Sequence, residues 1–327
     1  FREEMRRWVE SFGPQSSWAQ ANAGDKKLIE DTYKVQEATL RGHVLQLHQT
    51  AQNSRADYSR LAAVAAYQLY GQYFSHSPKG SEMRFYQAEL YFDMEKYQDA
   101  AKLYFWVAEK DPKSKFFENS VVNAMLALEK DLPSNEEIAK KRGTSLAEIP
   151  LDPPVMRFER AALKYISSFP KGDKVNDIRR RLGVLYYHYN HFDQAIALFD
   201  KVIEESPGSQ NAEVAGNLTL DIYKLKGDMV GLADKGKQYL SNPALAKTKF
   251  GMNVHSMMEG ASFSKAEKLA ETKDYTQAAK EFESFGATFK QSELSTAAKY
   301  KAGYNYEKAG DFSSAIRMHL AVLAVAS

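Results

Sequence analysis

Residues 176–207, NDIRRRLGVLYYHYNHFDQAIALFDKVIEESP, decide the fold. Leu182-Gly183 leads to Tyr186, then after a turn at Asn190-His191 come Phe192, Ala195, Phe199, Val202 and Pro207. Steps of three and four put apolar side chains on one helical face, so the stretch reads as two helices folded against each other. The pattern recurs. Ala302, Gly303, Tyr306, Phe312, Ala315, His319 and Val322 repeat it, as do Gln87, Ala88, Tyr91, Tyr97, Ala100, Tyr104, Val107 and Pro112. A chain that repeats one helical hairpin stacks its copies in series, which predicts an all-α solenoid without a sheet.

The turns repeat as well. Ser77-Pro78-Lys79-Gly80, Phe169-Pro170-Lys171-Gly172 and Ser206-Pro207-Gly208-Ser209 each stop one helix and introduce another, and Asp111-Pro112 and Asn242-Pro243 do the same. Proline lacks the N–H that continuation needs, and the Gly or Ser beyond it suits a turn or a cap. Inside each hairpin a second kind of turn precedes an aromatic or Met: Glu95-Lys96-Tyr97, Asn190-His191-Phe192, Gly227-Asp228-Met229, Lys273-Asp274-Tyr275 and Gly310-Asp311-Phe312. There the Asp is placed to cap the second helix and the aromatic to staple it to the first. Gly183, Ala88 and Gly303 are read as sites of close helix approach, with Tyr186, Tyr91, Tyr306, Phe199 and Tyr104 filling the core.

Upstream, residues 1–12 predict a short amphipathic helix carrying Met5, Trp8, Val9 and Phe12. A long helix starts at the N-cap Asp25 and runs towards Asn53, and another spans about 56–76. Residues 1–80 therefore read as N-terminal helices whose last pair stacks as an atypical first repeat. The repeats follow at 81–112, 113–170, 176–207, 213–243, 259–290 and 296–327. One stretch, 133–154, interrupts the rhythm with a short polar helix at Asn135–Lys141 and Pro150, Pro153 and Pro154. It is either a surface insertion or a docking loop for a partner.

Composition narrows the function classes. The chain is 44% hydrophobic and 26% charged, with net charge +2, too balanced to indicate nucleic acid as the main partner. No apolar run approaches the roughly 18 residues a membrane span needs. Cysteine is absent, which removes disulfides, thiolate metal clusters and cysteine nucleophiles. No phosphate loop, dinucleotide fingerprint, zinc-protease helix or nucleophile elbow occurs. His188 and His191 stand three apart without an evident third ligand, and His43 and His48 stand five apart, so neither a metal nor a cofactor is expected. Arg179-Arg180-Arg181 is a compact basic run inside a helix, where the three side chains splay around the axis.

These residues and turns resemble the tetratricopeptide repeat family, best at 176–207, well at 81–112 and 296–322, and loosely at 213–243 and 259–290. The resemblance implies a right-handed superhelix with a concave wall built from the first helix of each repeat. By that register the wall holds Asp177, Arg180, Val184, Tyr187 and His188 in one repeat. It holds Glu82, Phe85, Glu89, Phe92 and Asp93 in another, and Ala297, Tyr300, Tyr304, Glu307 and Lys308 in a third. Phe85, Glu89, Phe92, Arg180, Tyr187, His188, Tyr300 and Tyr304 are accordingly the candidate partner-binding residues, set against the alternative that they pack on a neighbouring repeat.

A narrower resemblance lies in Phe285-Gly286-Ala287-Thr288-Phe289-Lys290-Gln291-Ser292, running into Ala297-Ala298-Lys299-Tyr300. It is similar to the inter-repeat junctions of Gram-negative envelope proteins such as the barrel-assembly lipoprotein and the periplasmic Tol–Pal partner. The expectation is a non-enzymatic scaffold for other proteins, without nucleic acid, in the periplasm of a bacterial envelope complex. An upstream lipidated N-terminus would anchor it to the outer membrane. The alternative is a cytosolic regulator or chaperone-like adaptor that senses a peptide or small signal.

Overall fold

The computed structural model describes residues 2–326, and among them there is helix, turn and loop but no strand. In chain order the helices are α1 (Arg2–Phe12), α2 (Ser17–Ala21), α3 (Lys26–Ser54), α4 (Asp57–Phe74), α5 (Gly80–Asp93), α6 (Tyr97–Lys110), α7 (Phe117–Glu129), α8 (Asn135–Arg142) and α9 (Pro153–Ser168). They continue as α10 (Val175–His188), α11 (Phe192–Glu205), α12 (Gln210–Leu225), α13 (Met229–Leu240), α14 (Pro243–Ala246), α15 (Lys249–Glu271), α16 (Tyr275–Thr288), α17 (Ser295–Lys308) and α18 (Phe312–Ala326). The architecture is an all-α solenoid of hairpins.

Two compact units emerge. One comprises the residues up to Ser134 together with Leu151–Pro170, the other Asn135–Pro150 together with the residues from Lys171 onward. In the first unit α3 pairs with α4, α5 with α6 and α7 with α9, and α1 packs on α3 and α4. Leu40, Val44, Tyr67, Tyr70 and Phe74 form its buried centre with Met5 and Val9 from α1. In the second unit the pairs are α10 with α11, α12 with α13, α15 with α16 and α17 with α18, each touching the next, and α8 lies on α10.

Local chemistry sets the helix boundaries. The Asp25 carboxylate accepts from the Leu28 N–H at 2.9 Å and opens α3. Asp228, Asp274 and Asp311 accept from Gly231 at 2.8 Å, Gln277 at 3.2 Å and Ser314 at 3.1 Å, so the inner-turn aspartates cap α13, α16 and α18. The close-approach glycines sit where expected. A Cβ on Gly183 would lie 2.5 Å from Phe199 Cε1, and one on Gly303 2.7 Å from His319 Cε1.

Two elements depart from the sequence reading. The Pro153-Pro154 pair supplies the first turn of α9, where the missing N–H has no intrahelical partner in any case. The 259–290 repeat begins earlier than its pattern suggests, because Asn242-Pro243 opens only the single turn of α14. A new N-cap at Thr248, accepting from Gly251 at 3.1 Å, then launches the 23-residue α15.

Candidate partner-binding surface

The wall residues are positioned by first helices of hairpins, and most of them are engaged by the hairpin that follows. Phe85 on α5 is 5% exposed and stacks on Phe116 at 4.7 Å, with Tyr104 edge-on at 5.5 Å. Phe92 packs edge-on against Tyr97 across its own turn at 5.3 Å. The Arg180 guanidinium on α10 donates to Asn211 of α12 and to Asp177, both at 2.8 Å. The Tyr187 hydroxyl donates to Asp221 of α12 at 2.5 Å. Side chains assigned to an open wall are thus part of the stacking between hairpins.

The same relation continues down the second unit. Lys235 of α13 donates to Asp200 of α11 at 2.8 Å, Lys301 of α17 to Glu267 of α15 at 2.6 Å, and Arg317 of α18 to Glu283 of α16 at 2.5 Å. These partners lie 34 or 35 residues apart, one repeat length, so each polar contact ties a hairpin to the next. The basic run is consumed in a similar way: Arg179 pairs with Glu205, and Arg180 and Arg181 both pair with Asp177.

Electrostatics mark three wall positions. Burial and the Asp221 carboxylate push the Tyr187 phenol up to about 12, with Arg142 pulling the other way. Burial and the Arg142 charge hold His188 below the ordinary imidazole value. Glu89 is raised by burial and by Asp93 one turn on. Arg142 ends α8, so this helix of the insertion lies against α10 at Tyr187 and His188. His191 faces the insertion too: its Nε2 donates to the Ile149 carbonyl at 2.8 Å. No cluster of three or more metal-ligating side chains occurs among the described residues.

Tyr300 and Tyr304 on α17 stay open, at 56% and 47% exposure. Beside them, α18 presents Phe312, Ile316, Leu320 and Leu323, each about 60% exposed or more, at helical spacing along one stripe. Of the eight candidates, Phe85, Glu89 and Phe92 belong to the first unit and Arg180, Tyr187, His188, Tyr300 and Tyr304 to the second. Phe312, expected to staple α18 to α17, is 64% exposed, and Ile316, Leu320 and Leu323 carry no mark in the repeat pattern. Their spacing of four, four and three was legible, but the same spacing marks helix faces that a following hairpin buries.

Residues 180–209 match the tetratricopeptide repeat family model. That stretch is a tetratricopeptide repeat. It spans most of α10, all of α11 and the turn into α12; the α17–α18 hairpin repeats its glycine-to-ring contact through Gly303 and His319, and the positive-φ inner turn recurs at Glu95, Gly227, Lys273 and Gly310. No curated protein matches the sequence. Among solved structures, the chain is similar to a tetratricopeptide repeat protein from Parabacteroides merdae, with 12% identity, coverage of 92% of this chain and 99% of that one, and a TM-score of 0.32. It is also similar to BtubC from P. vanneervenii, with 13% identity, coverage of 70% and 88%, and a TM-score of 0.27. A third similarity is to the P58(IPK) TPR domain, with 14% identity, coverage of 87% and 83%, and a TM-score of 0.24. At such scores these likenesses add nothing to the assignment, which rests on residues 180–209 and the hairpin geometry.

Proposed function

We propose that the protein is a non-enzymatic scaffold that binds a segment of another protein, and that it works as a subunit of a bacterial cell-envelope complex in the periplasm. Repeats of the tetratricopeptide type generally serve as interaction scaffolds. The observation that carries the binding reading is that Tyr300 and Tyr304, at wall positions of α17, stand 56% and 47% exposed. Exposed Tyr is enriched among the residues that dominate binding. The envelope reading is supported by the Phe285–Ser292 junction and its resemblance to envelope repeat proteins.

Affinity capture from the native cell tests the first part. A partner bound here should be lost from the Tyr300→Ala/Tyr304→Ala chain, while a partner retained at full yield would overturn this site. Fractionation of the same cells tests the second, since recovery of the chain with cytosolic proteins would replace the envelope reading with that of a cytosolic adaptor.

A further inference from the structure

In the second unit, α11 and α16 each turn one face towards the hairpin that follows. On α11 Phe192 and Ile203 are buried, and the Lys226 ammonium, just past α12, stands 5.5 Å from the Phe192 ring. On α16 Ala279 is buried, and a Cβ on Gly286 would lie 3.2 Å from Lys299 of α17. Counted from the aromatic that opens each helix, these are the first, fifth and twelfth positions. On α18 the same positions are Phe312, Ile316 and Leu323, and all three are exposed.

The ninth position separates α18 from the other two. On α11 it is Asp200, which accepts from Lys235 of α13 at 2.8 Å, and on α16 it is Glu283, which accepts from Arg317 of α18 at 2.5 Å. Each carboxylate ties its helix to the second helix of the next hairpin. On α18 the position holds Leu320. The helix has no acidic residue, and its Arg317 is already paired with Glu283. These two faces under a further hairpin carry a charge that registers it, and the α18 stripe carries none. A terminal hairpin left in water needs a polar outer face, which α18 lacks as well.

The stripe is complementary to itself. Phe312, Ile316, Leu320 and Leu323 step by four, four and three, so the pattern reads nearly the same in both directions. In an antiparallel pair with its two-fold axis level with Met318, Ile316 meets the second copy's Leu320 and Phe312 lies beside its Leu323, over about 16 Å of helix. Glu283 holds Arg317 towards α16, so the pairing brings no bare like charges together. We propose that α18 is the face through which two copies of this chain pair, antiparallel, by Phe312, Ile316, Leu320 and Leu323. Four side chains a copy are few beside the roughly 1,200–2,000 Å² that stable pairs bury, so the dimer is weak, with a dissociation constant on the order of 10 µM.

Sedimentation equilibrium on the full chain tests the pairing, and monomer should pass to dimer between about 1 and 100 µM. Leu320→Glu buries a carboxylate against the second copy's Ile316 and should weaken the dimer about a hundredfold. Because Leu320 is exposed in the single chain, helicity and melting of the dilute variant should match those of the unmodified chain. The chain has no cysteine, so Ile316→Cys and Leu320→Cys chains each carry a single thiol. Mixed and oxidised, the two should cross-link to each other about fivefold faster than either does to itself. A chain that stays monomeric at about 100 µM leaves the face to another protein and overturns the proposal. So does a dimer that Leu320→Glu leaves intact. Thiols that each cross-link best to their own kind overturn it too, because they place the helices parallel. None of these substitutions touches Tyr300 or Tyr304, so failure of partner capture there leaves this pairing standing.

Discussion

The Tyr187 hydroxyl donates to the Asp221 carboxylate at 2.5 Å, 34 residues along the chain. One helical hairpin thereby holds the next through a half-buried, charge-assisted bond. Tyr187→Phe should destabilise the fold by about 1.5–3 kcal/mol, since a hydrogen bond to a charged group contributes roughly that much. Chemical denaturation checks it. A double-mutant cycle with Asp221→Asn should show coupling between the two sites, and additive effects would mean that the bond contributes nothing.

Close packing inside the hairpin is the second expectation. With a built Cβ only 2.5 Å from Phe199 Cε1, Gly183→Ala should force the ring aside and cost about 1–3 kcal/mol. The Tm of this variant should fall. An unchanged Tm would mean that Phe199 relocates without strain.

The hairpins were legible in the sequence because each carries its own evidence. Small residues such as Gly183 and Ala195 and rings such as Phe199 meet within some 20 residues, where helical spacing alone fixes who faces whom. The wall was not legible to the same degree. Whether Phe85 or Tyr187 faces solvent depends on Phe116 and Asp221, which belong to the following hairpin and reach them only through the stacking geometry. The insertion was legible as an interruption, and its short polar helix appears as α8. Its docking on α10 was not, because Asn190 and His191 meet the carbonyls of Ser145, Ala147 and Ile149 across more than 40 residues of chain.

Acidification should weaken the second unit through His188. Its folded-state value lies below the ordinary 6.5, because burial and Arg142 disfavour the charged ring. The unfolded chain then takes up a proton first, so stability is full above about 6.5 and falls as pH drops through that value. Urea midpoints should decline between about pH 7.5 and 5.5, and His188→Gln should flatten the decline. Glu89, raised by burial and Asp93, acts in the opposite sense, so the difference between the two chains is the quantity to measure. Parallel profiles would place His188 in a solvated setting.

The last expectation sets two rings at the same repeat position against each other. Phe85 and Tyr300 both stand fifth in their units, yet Phe85 is 5% exposed under Phe116 while Tyr300 is 56% exposed. Phe85→Ala removes a core ring and should cost about 3–5 kcal/mol. Tyr300→Ala removes a half-exposed ring that meets His319 at 5.7 Å, and its effect should stay within about 0.5 kcal/mol of zero. Melting of the two variants side by side separates a position spent on stacking from one still open to a partner. If Tyr300→Ala destabilised the chain as much as Phe85→Ala, the contact with His319 would be structural, and this wall position would be spent on the fold.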